Sequence, residues 1–230
     1  MFRKLLAAFG IGVASVSVSA LGSPPYQPYA EPAVNDMYNL LFCDAPLSFK
    51  PRLGEKPAPW QSTIYAEPAQ PEKVRALALD AASEGRVRAL AFNWLRSNGH
   101  EVPSKQLLGV IVEVSLPGGL DALAVFSDGG VRYINQAGKV AIFEGESPDL
   151  QPVVSALFTA SQAVVDQIGP WGKPRLAPPP QGKVRLTFLV SDGLYFGEGK
   201  MSVLQREALS APIVASATEL LLLVVNAAAK

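Results

Sequence analysis

Residues 106–143 read QLLGVIVEVSLPGGLDALAVFSDGGVRYINQAGKVAIF: four apolar runs separated by three turn signals. Gln106 to Leu116 is rich in branched residues and has the pattern of a buried strand, and Pro117-Gly118-Gly119 then turns the chain. Asp121 to Ser127 is a second strand, Asp128-Gly129-Gly130 a second turn, and Val131 to Asn135 a third strand. Gln136-Ala137-Gly138 turns the chain once more before Val140 to Phe143. Each turn contains glycine, which reaches the positive φ that tight hairpin turns demand. The stretch predicts a four-stranded antiparallel meander. Beyond it, Asp149 opens a helix whose Val153, Leu157, Ala160, Val164 and Ile168 share one stripe, ended by Gly169-Pro170. That helix is expected to cover the Leu and Val face of the meander.

Working outward toward the C-terminus, Pro170 to Gly182 is a proline-rich connector that includes Pro178-Pro179-Pro180. Lys183 to Val190 then reads as a strand, Ser191-Asp192-Gly193 as a turn and Leu194 to Gly197 as its return. Met201 to Gln205 reads as an extension of the sheet, and a final helix runs from about Pro212 to Val225. Ser-Asp-Gly thus follows an apolar strand twice, at residues 127–129 and 191–193. Two related strand-turn-strand-helix units would explain this, although Asp-Gly is a common hairpin turn and suffices alone. Toward the N-terminus, Val34, Met37, Tyr38 and Leu41 lie on one helical face, with Asn35 and Asp36 outside it. Residues 44–59 are loop-like, and Trp60 to Ala66 reads as a short strand. One helix starts at Pro71 with Val74, Leu77 and Ala81 inward. A second starts near Ser83-Glu84, carries Val87, Leu90, Ala91, Trp94 and Leu95, and is capped at Asn98-Gly99. The fold class is α+β: an antiparallel meander packed against several amphipathic helices.

With 49% hydrophobic and 17% charged residues, the chain has the composition of a folded protein. Its 20 basic and 20 acidic residues balance, so no long-range field would gather nucleic acid. One cysteine, Cys43, and one histidine, His100, permit neither an internal disulfide nor the usual zinc sites, so no metal and no cofactor is expected. The apolar run Leu220 to Val225 is too short to span a bilayer, and no stable membrane span is expected.

Residues 1–32 form an N-terminal segment and proline-rich linker ahead of one α+β domain, 33–230, within which 170–182 is an allowed sub-boundary. Met1 to Ala20 has the three parts of a secretory signal ending near Ala20. It also reads as an amphipathic helix over Phe2 to Phe9 followed by alternation from Val13 to Ala20. We take the retained, cytoplasmic reading over the exported one.

For chemistry, the sequence offers little. His100 sits in a loop after a helix cap, no Gly-x-Ser-x-Gly supplies a nucleophile elbow, and Gly197-Glu198-Gly199-Lys200 lacks phosphate-loop spacing. No catalytic residues are assigned. The expectation is a non-enzymatic interaction or accessory subunit, binding a protein partner or forming a homo-oligomer. Tyr26, Tyr29 and Trp171 are the candidate binding residues, because rings on proline-stiffened segments give contact area with few rotors to freeze. The alternative is a small-ligand-binding domain or hydrolase with a pocket beside the meander, its acids being Asp128 and Asp192.

Overall fold

The computed structural model describes residues 25–228. The helix, strand and signal readings for residues 2–20 lie outside them. The architecture is α+β, as the meander and flanking helices predict. Strands β1 (Leu107–Leu116), β2 (Gly119–Phe126), β3 (Val131–Ile134) and β4 (Val140–Phe143) follow one another, and β5 (Lys183–Val190) and β6 (Gly193–Lys200) join on the other side of β1. The result is one antiparallel sheet of six strands, in the order β4-β3-β2-β1-β5-β6.

Helices cover both faces. On one lie α1 (Pro32–Leu40), a 3₁₀ turn (Pro46–Phe49), α2 (Pro59–Ile64), α3 (Pro71–Leu79) and α4 (Gly85–Ser97). There Tyr38, Phe42, Val74, Leu90, Phe92 and Leu95 pack on Leu108, Ile111, Ala122, Ala124 and Phe126. On the other lie α5 (Gln151–Val165) and α7 (Ala211–Ala228), whose Val153, Leu157, Ile213 and Leu220 meet Val110, Val112, Val125, Leu186 and Phe188. Central strands covered on both faces have no reason to alternate apolar with polar, and β1 and β2 accordingly read as continuous apolar runs. A register shift against β5 between Leu107 and Gly109 reverses the facing of β1 at that point, so Leu108 and Ile111 share a face despite their odd spacing.

Three readings are corrected. Residues 60–66 are helical over Pro59–Ile64: Pro59 presets the first turn, and Gln61 accepts the Ala58 N–H at 2.8 Å while donating to Phe49 O at 2.8 Å. Met201 to Gln205 leaves the sheet as the short helix α6 (Met201–Leu204), which lays Leu204 over Gly199. The C-terminal helix is longer than the apolar run suggested, because alanines at both ends extend it to 18 residues. By length and composition α7 could cross a membrane, yet it buries Ile213, Val214, Ala217, Leu220 and Val224 against the sheet. Withdrawing it would uncover the second core.

Helix α4 fixes the position of the first layer. Its leading Gly85 approaches the sheet so closely that a Cβ there would lie 2.7 Å from Ser127 N and 2.8 Å from Leu108 O. These are backbone atoms and cannot swing aside. Gly85→Ala should therefore destabilise the fold by at least about 1–3 kcal/mol, the usual range for overpacking, which urea unfolding would measure. An unchanged midpoint would mean that α4 does not dock this way.

Candidate functional site

Strand β5 spells Lys-Val-Arg-Leu-Thr-Phe-Leu-Val, with polar and apolar residues alternating over its first six positions. Val184, Leu186 and Phe188 face α5 and α7. The opposite face carries Arg185 and Thr187, which are nevertheless buried. What covers them is the connector between α5 and β5. It reaches the outer edge of β6, where Trp171 N–H donates to Leu194 O (2.7 Å) and the Trp171 ring packs edge-on against Phe196 (5.1 Å). It then lies over β5 and β6, its Ala177 carbonyl taken by Arg185, whose guanidinium also pairs with Glu198 at 2.6 Å. A proline-rich strand has more carbonyls than N–H donors, so donor-only arginines are what it needs beneath it.

Arg175 is the connector's own buried cation. Its side chain is buried, pairs with Asp44 (2.9 Å), donates to Asn39 Oδ1 (3.0 Å) and lies 3.9 Å over the Phe42 ring, with the Tyr26 and Tyr38 rings at 5.0 and 5.6 Å. Its carbonyl accepts the Tyr26 hydroxyl at 2.8 Å. The N-terminal arm is thereby joined to the connector, and α1 holds the arm by a second device. Asn35 and Asn39, one helical turn apart, each bond both backbone groups of an arm residue: Asn35 those of Tyr29 (2.8 and 2.8 Å), Asn39 those of Tyr26 (2.9 and 2.7 Å). Two side-chain amides thus stand in for a neighbouring strand. Asn35, placed outside the apolar face by its spacing, is buried for this reason.

The three candidate binding residues are therefore drawn into the molecule to different depths. Tyr29 is only 7% exposed and packs on Tyr38. Tyr26 is half-buried between Arg175 and α1, and Trp171 is half-buried on β6. Below them Glu113, on β1, is 1% exposed and accepts the Tyr38 hydroxyl at 2.6 Å. Burial pushes the Glu113 carboxyl above its ordinary range, partly opposed by the Tyr38 bond and by Arg185 and Arg175.

The structure keeps the two candidate acids apart. Asp128 accepts the Gly85 N–H at 2.9 Å, setting a carboxylate at the positive end of α4. Asp192 accepts the Tyr195 hydroxyl at 3.0 Å, and its neighbour Ser191 gives its carbonyl to Arg96 near the other end of α4. The two Ser-Asp-Gly turns thus flank the start of β1, and α4 lies between them. Beside Asp128 is a cleft of about 470 Å³ lined by Ala82, Glu84, Arg86, Asp128, Glu144 and Gly145. Its arginine is already paired, Arg86 with Glu84 at 2.5 Å, and Glu144 is held by Arg132 at 2.8 Å. Cys43 is buried, its thiol pushed up to about 12 by desolvation, and His100 stacks on Trp94 at 5.9 Å. Among the described residues no group of His, Cys, Asp and Glu is placed to hold a metal.

One sheet edge carries none of the candidate site residues. Among the described residues β4 pairs with β3 alone, so its outer edge is open, and Val140 and Ile142 are 37% and 47% exposed. Helix α7 starts beyond β6 and reaches β4 on the other face, and it leaves Leu222 and Val225 60% and 45% exposed. Comparison of the chain with protein-family models, characterised proteins and solved structures finds no match.

Two measurements check this geometry. Arg175→Met strands Asp44 as a buried charge and should cost about 3–5 kcal/mol in chemical denaturation, against almost nothing for Leu176→Ala on the same connector. Tyr38→Phe removes the donor that favours ionised Glu113. An acid whose folded pKa is raised binds more protons when folded, so its stability contribution falls as pH rises through that value. The variant should therefore lose more stability at high pH, where Glu113 is ionised and the lost bond is charge-assisted, than at low pH, where Glu113 is protonated and the bond joins neutral groups. A pH-independent loss would contradict the assignment.

Proposed function

We propose that this chain is a non-enzymatic interaction module, and that the surface it offers a partner protein is the β4 edge with its exposed apolar side chains. One observation carries the reading: Val140 and Ile142 combine exposed aliphatic side chains with a backbone edge that, among the described residues, no other strand occupies. An extended segment adding to such an edge gains main-chain hydrogen bonds together with side-chain contact. The groups that could do chemistry support the same view, because each has a structural task. Asp128 holds α4, Asp192 takes the Tyr195 hydroxyl, Cys43 is buried and His100 lies flat on Trp94. Tyr29 braces the core, which removes its ring from the partner surface.

The rival reading, a ligand site in the cleft at Asp128, has paired charges where a ligand would need unpaired ones. The two are separated by affinity capture from the native source followed by binding measurements on single variants. Ile142→Lys should weaken partner binding by about 2 kcal/mol or more, roughly 30-fold, with an unchanged unfolding midpoint, while Arg86→Ala leaves affinity within about twofold. Retained binding in Ile142→Lys, with loss in a Tyr26→Ala variant, would return the role to the N-terminal arm.

A further inference from the structure

Resting on the reading of β4 as the docking edge, we infer that its occupant is a second copy of this chain, paired antiparallel with Ala141 on the twofold axis. Two six-stranded sheets then become one continuous sheet. The hydrogen-bond parity of β4 leads to this register. In the β3–β4 hairpin Asn135 N–H donates to Lys139 O at 2.9 Å, and the opposed pairs run Ile134/Val140, Tyr133/Ala141, Arg132/Ile142 and Val131/Phe143. Hydrogen bonding alternates along an antiparallel ladder, so residues 139, 141 and 143 turn their backbone groups toward β3. Val140 and Ile142 turn theirs outward.

A twofold axis perpendicular to the sheet keeps each face continuous, so opposed residues must come from the same face. With Ala141 opposite its own copy, Val140 stands opposite Ile142 twice. These are the residues with outward backbone groups, so each opposed pair exchanges both of its N–H···O bonds. They also carry the exposed side chains, and the four aliphatic groups close into one patch. Sliding the register by two residues sets Val140 opposite Glu144, or Ile142 opposite Gly138, and either slide breaks that pairing.

Charge favours the same occupant and direction. Exposed Lys139 precedes the strand, and exposed Glu144 and Glu146 follow it. Antiparallel pairing lays the basic end of each copy beside the acidic end of the other, whereas a parallel partner would set like against like. The formal net charge of +0 means that two copies meet without long-range repulsion. On the opposite face α7 reaches β4 in each copy.

Sedimentation of the full chain across the micromolar range tests the assembly, and cysteine substitution tests the register. The wild type should sediment as a dimer, and Ile142→Lys should weaken dimerisation by at least about 30-fold. Ala141→Cys should form a reducible covalent dimer under mild oxidation, because opposed Cα atoms of a non-hydrogen-bonded pair lie about 4.5 Å apart, within disulfide reach. Lys139→Cys, which this register sets opposite Phe143, should not. A dimer that survives Ile142→Lys without cross-linking through Ala141→Cys would place the interface elsewhere and overturn the inference. A wild type that is monomeric throughout also overturns it. In that case loss of a different partner by Ile142→Lys would leave the docking-edge reading standing, and no effect of Ile142→Lys on any association would remove both.

Discussion

The arrangement on the α1 face of the sheet depends on one buried cation. Arg175 lies at the meeting point of the two proline-rich segments, with Asp44 and Asn39 on its polar edge and the Phe42 ring beneath it. A guanidinium taken out of water is costly unless its charge finds a partner and its donors acceptors, and here Asp44 supplies the charge and Asn39 an acceptor, both remote in sequence. The proline segments for their part present more carbonyls than N–H groups. Arg185 supplies a donor to the connector, and Asn35 and Asn39 supply both donors and acceptors to the N-terminal arm. Segments with the composition of recognition arms are thereby used as internal bracing, covering a polar stripe on β5 and β6 that would otherwise face solvent.

The same economy runs through the rest of the molecule. Strand β1 is paired on both edges and covered on both faces, and each of its neighbours ends in a Ser-Asp-Gly turn. Ser127 N–H donates to Leu108 O, and Ser191 N–H donates to Gln106 O, so both turns are tied to the start of β1. Helix α4 then lies between them, its first amide on Asp128 and its Arg96 on Ser191. Residues that resemble the beginnings of an active site are mechanical fastenings. Among the described residues, the outer edge of β4 bonds to no other strand.

The meander was legible because its signal is local. Runs of branched residues broken by glycine turns specify strands without reference to the rest of the chain. The α5 stripe was legible in its first half, at Val153 and Leu157, whereas further on Ser161 and Val165 are buried and Ala160 and Val164 only half-buried. Trp60 to Ala66 misled because Trp60, Thr63, Ile64 and Tyr65 suit a strand by residue type, whereas Pro59 and the two bonds of Gln61 decide for a helix. Asn35 and Asn39 carried a faint signal in their one-turn spacing, but what they bind lies in a different segment. The exposure of Val140 and Ile142 was beyond reach, since β4 reads like any half-buried strand until the strand order makes it an edge. The composition around Tyr26, Tyr29 and Trp171 does not separate a ring that reaches out from one that is tucked in: Tyr29 is buried, whereas Tyr26 and Trp171 are half-buried.

The central claim is that the proline-rich segments are closed internal contacts and that the outer edge of β4 is the open one. Hydrogen exchange at single-amide resolution, repeated over a range of protein concentrations, tests it most directly. In dilute solution the amides of Val140 and Ile142 should exchange as rapidly as unpaired ones, while those of Ala141 and Phe143, bonded to β3, stay protected. Raising the concentration should bring protection to Val140 and Ile142 and leave Tyr26, Tyr29 and Trp171 unchanged. Protection that instead grows at residues 25–32 or 171–177, with the β4 amides still exchanging freely, would contradict the account.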